Sequence, residues 1–205
     1  MQKILIGTQN KAKLKELTLG LQELKTNKIE ILSLADLDLN NDPDETGKTF
    51  AENAILKAKH YARLTNLPTI ADDGGLVITY LNNEPGVKSR RWLGYAATDE
   101  ELIRHTLTKL KGRKDRERKA YLETCICFFD PKTQKILLEK EKIMGQIAEK
   151  PYKNYLSGFP YRALFLVDNL NAYYDELTPE QHSQVNHRLI ALNRLVKRIK
   201  DYLLK

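Results

Sequence analysis

Two neighbouring carboxylates, Asp72 and Asp73, close a short apolar run at residues 67–71 and are followed at once by Gly74 and Gly75. In an open α/β sheet, ligands bind in the crevice outside the carboxyl ends of the strands, and the end of an apolar run is such a place. Adjacent acids repel each other, which favours a bound cation. Mg²⁺ takes one or two carboxylates and completes its shell with water and substrate phosphates. The glycines permit a sharp turn and a close backbone approach. An Asp-Gly turn between two strands accounts for the same four residues without any chemistry.

Three other segments carry groups that suit a polyphosphate. Thr8, Asn10 and Lys13 lie between an apolar run at residues 3–7 and a helical pattern. The unpaired N–H groups of a helix N-terminus and its dipole favour an anion there, and Lys13 is one turn in. A capped helix with surface lysines is the plainer account. Glu45 sits in an acidic loop at residues 37–47 as a second candidate metal carboxylate. Beyond it, Asn53, Lys57 and His60 recur at i, i+4 and i+7 on one helix face, either solvated or lining a phosphate site. Asn186, His187 and Arg188 fall on a C-terminal helix, with His187 opposite Val185 and off the apolar stripe. Taken alone they read as surface groups.

The elements that must position these residues follow from periodicity. Residues 3–7 and 29–32 read as strands, with a helix between them through Leu14, Leu17, Leu21 and Leu24. The chain therefore opens β-turn-α-β, an α/β start. Thr49 with Glu52, and Thr98 with Glu101, are capping boxes that begin two further helices. Residues 67–71 and 76–81 read as two short extended runs separated by a turn at 72–75. Residues 119–129 and 134–144 pair as a hairpin around 130–133. Thr178, Pro179 and Gln181 start the last helix, whose stripe is Val185, Leu189, Leu192, Val196, Ile199 and Leu203.

Composition narrows the class. A chain of 205 residues fits one domain, with room for two lobes, on a prior of roughly 100–200 residues per domain. With 41% hydrophobic and 30% charged residues it holds enough apolar material for a core and too little bias for disorder. No stretch approaches the roughly 20 apolar residues of a membrane span. The first residues turn polar at Thr8 to Asn10, too early for a signal peptide, so the expected location is the cytoplasm. The net charge of +7 is spread along the chain, except for a basic run at residues 109–119 that reads as a solvated loop. An anionic substrate suits this charge, and nucleic-acid binding is the lesser reading. Cys125 and Cys127 alternate onto one strand face as ordinary core residues; two such ligands make a poor zinc site.

Read together, the segments form an ordered set. The chain carries Thr8-x-Asn10-x-x-Lys13, then Glu45-Thr46-Gly47-x-Thr49-Phe50-x-Glu52-Asn53-Ala54-x-x-Lys57-Ala58. Next come Ala71-Asp72-Asp73-x-Gly75-Leu76 and Pro85-Gly86-Val87-x-Ser89-x-Arg91. Gly158-Phe159-x-Tyr161 and His187-Arg188 complete it. Each piece is weak alone, but six in order over nearly the whole chain are specific. The sequence resembles the inosine triphosphate pyrophosphatase family.

That resemblance implies an elongated, two-lobed α/β fold with a central mixed β-sheet flanked by helices, one domain over residues 1–205, and a homodimer. It implies Mg²⁺-dependent hydrolysis of the nucleoside triphosphates ITP, dITP and XTP to the monophosphate and pyrophosphate, with no nucleic-acid or membrane partner. Carried over by motif, Asp73 and Lys57 are catalytic, and Glu45 and Asp73 hold the metal. Thr8, Asn10 and Lys13 bind the triphosphate with Lys57. Gly74, Phe159, Tyr161, His182, His187 and Arg188 complete the substrate-binding set, the aromatic pair bordering the base and the His-Arg pair contacting it.

The departures from the family pattern cluster. Gln9 replaces a Gly, and Gly74 a Ser or Thr. The family reads Gly-Phe-Gly-Tyr-Asp-Pro where this chain reads Gly158-Phe159-Pro160-Tyr161-Arg162-Ala163. Position 182 is His in place of Lys, and position 186 is Asn in place of Ser. The metal and phosphate end is largely kept while the base end is altered. The expectation is retained catalysis with a shifted or relaxed base preference; a nucleotide-binding protein without turnover is the alternative.

Overall fold

The computed structural model describes residues 2–25 and 28–203. Strand β1 (Gln2–Ile6) leads through the Thr8–Asn10 turn into helix α1 (Lys11–Gly20). Asn10 is its cap: Oδ1 accepts from the N–H groups of Ala12 and Lys13 at 2.9 and 3.1 Å. The helix expected through Leu24 is broken at Leu21, whose N–H still bonds to Leu17, and a short α2 (Gln22–Lys25) follows. Strand β2 (Ile29–Ser33) pairs parallel with β1, Ile4 opposite Ile31.

Helix α3 (Phe50–Thr65) starts at Thr49 with the full capping box, and α4 (Asp99–Lys109) starts at Thr98 in the same way. Strand β3 (Thr69–Ile78) is continuous, so the turn expected at 72–75 is corrected. It pairs parallel with β1 at Leu5 and Thr69 and antiparallel with the short β4 (Glu84–Pro85) at Val77 and Pro85. Ladder bonds outweigh the turn preference of Asp-Gly. Gly75 is needed there for room: a Cβ would run into Ser89 Oγ.

Strands β5 (Lys119–Asp130) and β6 (Lys135–Ile147) lie side by side, joined by residues 131–134 as expected. The short β7 (Phe165–Val167) pairs antiparallel with β6, and β8 (Ala172–Tyr173) with β7. The sheet order is β2-β1-β3-β5-β6-β7-β8, with β4 on β3. It is a mixed sheet flanked by helices, the fold class the sequence implied.

The last helix is also corrected. It is two helices, α5 (Pro179–Val185) and α6 (His187–Leu203), because Asn186 is extended at φ −67°, ψ 93°. The break turns Asn186, His187 and Arg188 inward, and all three are buried rather than on the surface.

By contacts the chain divides into two compact units. The first is Met1–Asp73, Thr124–Glu141 and Arg188–Lys205; the second is Gly74–Glu123 and Lys142–His187. The first has a core of Ile4, Ile6, Leu17, Leu21 and Phe128 with the α6 stripe Leu192, Leu195, Val196 and Ile199. Each such buried side chain contributes about 1.5–3 kcal/mol. The second unit's core holds Leu76, Ile78, Leu102, Leu122, Phe165 and Tyr174. Arg118 belongs to it as well. The basic run was expected to be solvated throughout, but Arg118 is buried and donates to the carbonyls of Ile147, Leu110 and Ala148. Its five donors can satisfy several loop carbonyls at once. Cys125 and Cys127 are both buried, and burial pushes the Cys127 thiol up to about 12.

Candidate functional site

Two groupings gather the residues singled out from the sequence, one in each unit. In the first unit the end of β1, the start of α1, the middle of α3, the Glu45 loop and the head of α6 bring charges together. Asp72 is fully buried, and its Oδ2 accepts both from Lys13 Nζ at 3.2 Å and from Arg188 Nε at 3.0 Å. Its Oδ1 has no hydrogen-bond partner. Arg188 Nη1 reaches Glu16 at 2.8 Å. Lys57 Nζ lies 2.9 Å from Glu45 and 3.6 Å from Asp73 Oδ1.

Asn53 links Asp73 to the loop that carries Glu45. Its amide Nδ2 donates to Asp73 Oδ2 at 3.1 Å, and its Oδ1 accepts from the Gly47 N–H at 2.8 Å. The i, i+4 spacing placed Asn53 beside Lys57 and gave no sign of this fork. Gly47 has no room for a side chain, since a Cβ would meet Asn53 Oδ1 at 2.5 Å. Glu52 serves the cap, accepting from Lys48 and Thr49 N–H, as its capping-box position implied. His60 Nε2 is buried and has no hydrogen-bond partner.

The electrostatics follow from burial and pairing. Burial opposes ionisation of Asp72, but Lys13, Arg188 and Lys57 outweigh it and hold the carboxyl well below the usual carboxylate range. Asp73 goes the other way: burial raises it, Lys57 and Lys13 do not fully compensate, and Glu45 adds repulsion. Burial disfavours the Lys57 ammonium, yet Asp73, Asp72 and Glu45 raise it above an ordinary lysine. Lys13 is pushed down, first by burial and then by Lys57 and Arg188. One acid of the adjacent pair is thus a fixed anion, and the other is a carboxylate of raised basicity. Asp73 and Glu45 converge on one ammonium, so they suit a divalent cation that brings its remaining ligands with it. Among the described residues no cluster of three or more His, Cys, Asp or Glu groups adds to them.

At the phosphate-like turn, Thr8 Oγ1 accepts from the Asn10 N–H at 3.3 Å. Gln9, where a Gly was expected, is exposed and donates to the Leu39 carbonyl at 2.8 Å. Gly74 lies in β3, half-buried.

In the second unit the grouping is aromatic. Phe159 and Tyr161 are buried. The Tyr161 hydroxyl donates to the Ser89 carbonyl at 2.5 Å, while Ser89 Oγ accepts from the Leu76 N–H at 3.2 Å and donates to the Gly86 carbonyl at 2.6 Å. Ser89 thus ties the Pro85-Gly86 turn to β3, and only its place in the ordered motif signalled it. Asp99 fixes Gly158 by accepting its N–H at 2.6 Å. The Tyr174 ring meets the His182 and His187 rings edge-on, at 5.0 and 6.1 Å between centroids. Asn186 Nδ2 contacts His182 Nδ1 at 3.4 Å. Arg162 lies over the Phe159 ring, 3.6 Å from its centre, and over the Tyr174 ring, 4.7 Å from its centre. Arg188, expected to contact a base, has Nε and Nη1 engaged by Asp72 and Glu16.

A mixed α/β sheet with a buried cluster of lysines and carboxylates beside a capped helix N-terminus defines a protein built to hold anionic, phosphate-rich ligands. Comparison with known proteins makes this particular. The chain matches the Ham1 family over residues 4–198 and belongs to it. A dITP/XTP pyrophosphatase of Leptospira interrogans is 37% identical over 199 residues, covering 97% of this chain and 98% of that one. The dITP/XTP pyrophosphatase of Thermoanaerobacter pseudethanolicus is 37% identical over 203 residues, 99% and 97% of the two chains. The solved structure of a HAM1 protein from Coxiella burnetii superposes with a TM-score of 0.84 at 34% identity, covering 98% of this chain and all of that one.

Proposed function

We propose that this chain hydrolyses nucleoside triphosphates of non-standard purines, ITP, dITP and XTP, to the monophosphate and pyrophosphate, with residues 1–205 acting as one catalytic domain. The observation that carries the reading is the buried cluster of Lys13, Lys57, Asp73 and Glu45, in a chain whose relatives are dITP/XTP pyrophosphatases.

In this reading Thr8, Asn10, Lys13 and Lys57 hold the triphosphate. The Asn10 side-chain oxygen is engaged in the cap, so its donation to phosphate comes from the amide nitrogen. Asp73 is the general base, a buried carboxylate held by Asn53 and lying 3.6 Å from Lys57. The water oxygen bonds to the α phosphorus, the bond to the bridging oxygen breaks, pyrophosphate leaves, and the water proton passes to Asp73. No covalent intermediate is needed. Glu45 and Asp73 would hold Mg²⁺, which supplies charge neutralisation at the polyphosphate when bound. Gly74, Phe159, Tyr161, His182 and His187 are assigned to the nucleoside side. Arg188 is assigned to holding Asp72 and Glu16 at the edge of the site.

The test is pyrophosphate release from ITP, dITP, XTP, GTP, ATP, CTP and UTP with Mg²⁺, run beside Asp73→Asn. The reading expects cleavage of the non-standard purines and a variant that is nearly dead. Tight nucleotide binding with no release from any substrate would replace it with a binding protein lacking turnover. The cytoplasmic location and the homodimer belong to the same reading; light scattering that gives a single-chain mass would remove the dimer.

A further inference from the structure

We infer that Gln9 and Tyr61 are positioning residues that strap the loop at residues 38–47 to the β1–α1 turn and so set Glu45 beside Lys57 and Asp73. The inference deepens the proposed function and rests on it, because Glu45 is a metal carboxylate of that reading. Residues 39–47 form neither helix nor strand, so no regular backbone pattern fixes where Glu45 stands. The loop is also acidic, with Asp42, Asp44 and Glu45 close together in sequence. Left to itself such a segment is pushed outward by repulsion among its acids and from an incoming triphosphate.

Side chains from two elements hold the loop down. From the β1–α1 turn, Gln9 Nε2 donates to the Leu39 carbonyl at 2.8 Å. From α3, the Tyr61 hydroxyl donates to Asp42 Oδ1. Gln9 is also a hydrogen-bonding neighbour of that hydroxyl, and its amide has a second N–H for the purpose. Burial and Asp42 raise the Tyr61 phenol well above its ordinary value, so it stays a donor at any working pH. The Tyr61 ring is fully buried in a small core with Leu5 and Leu34, against which Leu37 and Leu39 pack. It stands so close to the end of β1 that a Cβ on Gly7 would meet its Cδ2 at 2.7 Å. One rigid ring thus fixes the loop relative to the turn that carries Thr8 and Asn10. Farther along, the Gly47 N–H bonds to Asn53, and Glu45 reaches Lys57 at 2.9 Å. Gln9 stands where the family pattern has Gly, which has no side chain to reach Leu39. Tyr61 lies outside the ordered motif altogether.

The experiment compares the wild type with Gln9→Ala, Tyr61→Phe and the double variant. Tyr61→Phe keeps the ring and removes one donor, so the core stays filled. Amide hydrogen exchange of residues 38–47 is read without metal or nucleotide. Each single change should speed that exchange about two- to tenfold, and the double by more than either, with β1, β3 and α3 unchanged. Asp42→Ala should match Tyr61→Phe, whereas Asp42→Asn keeps an acceptor and should retain part of the protection. Pyrophosphate release from ITP is then titrated with Mg²⁺. Apparent affinity falls with the fraction of molecules whose loop is in place. The Mg²⁺ concentration for half-maximal release should therefore rise about three- to tenfold in the double variant, and by more than kcat falls. Three results would overturn the inference: loop exchange unchanged in the double variant, exchange faster across the whole first unit, or a loosened loop with the wild-type Mg²⁺ requirement. A wild type that cleaves no nucleotide, with loop exchange responding as expected, would instead strike the catalytic reading and leave the strap standing.

Discussion

The two groupings are built from different materials. In the first unit Asp72, Asp73, Glu45, Glu16, Lys13, Lys57 and Arg188 are charged, and nearly every one is anchored by a partner within the same cluster. In the second unit Arg162 lies over the Phe159 and Tyr174 rings, the His182 and His187 rings meet Tyr174 edge-on, and Tyr161 donates to the Ser89 carbonyl. A buried charge without its partner is severely penalised, whereas separating two aromatic rings costs only their packing. The charged grouping therefore tolerates little change, and the aromatic grouping can drift. Of the departures from the family pattern, Gly74, Pro160, Arg162, Ala163, His182 and Asn186 lie in the second unit and Gln9 in the first.

The sharpest way to break this contrast is at Asp73. Asp73→Asn removes the proposed base while keeping the shape and the bond from Asn53. Pyrophosphate release should drop by about 10²–10⁴-fold. Stability should hold or rise, because burial already strains this carboxylate. A fall in melting temperature as steep as the fall in rate would make Asp73 structural.

Arg188→Ala should do the reverse in kind. It strips Asp72 and Glu16 of a shared partner, and breaking a buried pair costs about 3–5 kcal/mol. Denaturant unfolding reads this directly. The same pair predicts a pH dependence. The folded-state carboxyl of Asp72 lies below its unfolded value. Its ionisation therefore stabilises the fold above the unfolded pKa of about 4 and loses that effect as pH falls through the depressed folded value. The stability gap between the wild type and Asp72→Asn should be widest at neutral pH and should close on acidification below about pH 4. A gap that is flat with pH would mean the pair contributes packing only.

Gly75→Ala tests the second unit at its tightest approach. The new methyl would collide with Ser89 Oγ, the atom that accepts from Leu76 N–H. Overpacking of this kind costs about 1–3 kcal/mol. Unfolding should register it, and Gly75→Ala combined with Ser89→Gly should recover part of the loss. No recovery would place the strain in the strand backbone.

The contrast also governs what could be read from the sequence. Elements set by local rules were legible: the capping boxes at Thr49, Thr98 and Thr178, the β5–β6 hairpin, and the Leu192, Val196, Ile199 and Leu203 part of the terminal stripe, whose first member, Val185, instead lies in α5 against the second core. Three features were not, because local preference alone does not set them. The Asp72–Gly75 stretch follows local turn preference in sequence but lies within a strand held by β1 and β4. Asn186 is an ordinary helix residue until its extended backbone divides α5 from α6. Arg188 reads as surface, since Asp72 is 116 positions away. The motif order located the acids and lysines as a set. It gave no hint that Asn53 would bridge Gly47 and Asp73, because that fork exists only once the loop folds over α3.

The smallest expected effect separates position from stability most cleanly. Thr49 and Thr98 cap α3 and α4 with the same box, accepting from the third residue's N–H at 3.1 and 3.2 Å. Replacing either by Ala should cost about 1 kcal/mol. The two helices differ in cargo: α3 carries Asn53 and Lys57, while α4 carries none of the proposed site residues. Thr49→Ala frays the turn that aims Asn53 and Glu45, so it should raise KM for the nucleotide severalfold at a temperature where both variants are folded. Thr98→Ala frays the turn that bears Asp99, which holds Gly158 in the aromatic grouping, so it should leave kcat at the wild-type value and change KM less than Thr49→Ala does, despite an equal loss of stability. Equal kinetic losses in both would mean that activity simply tracks global stability, and the charged grouping would then hold no geometry of its own beyond what the fold supplies.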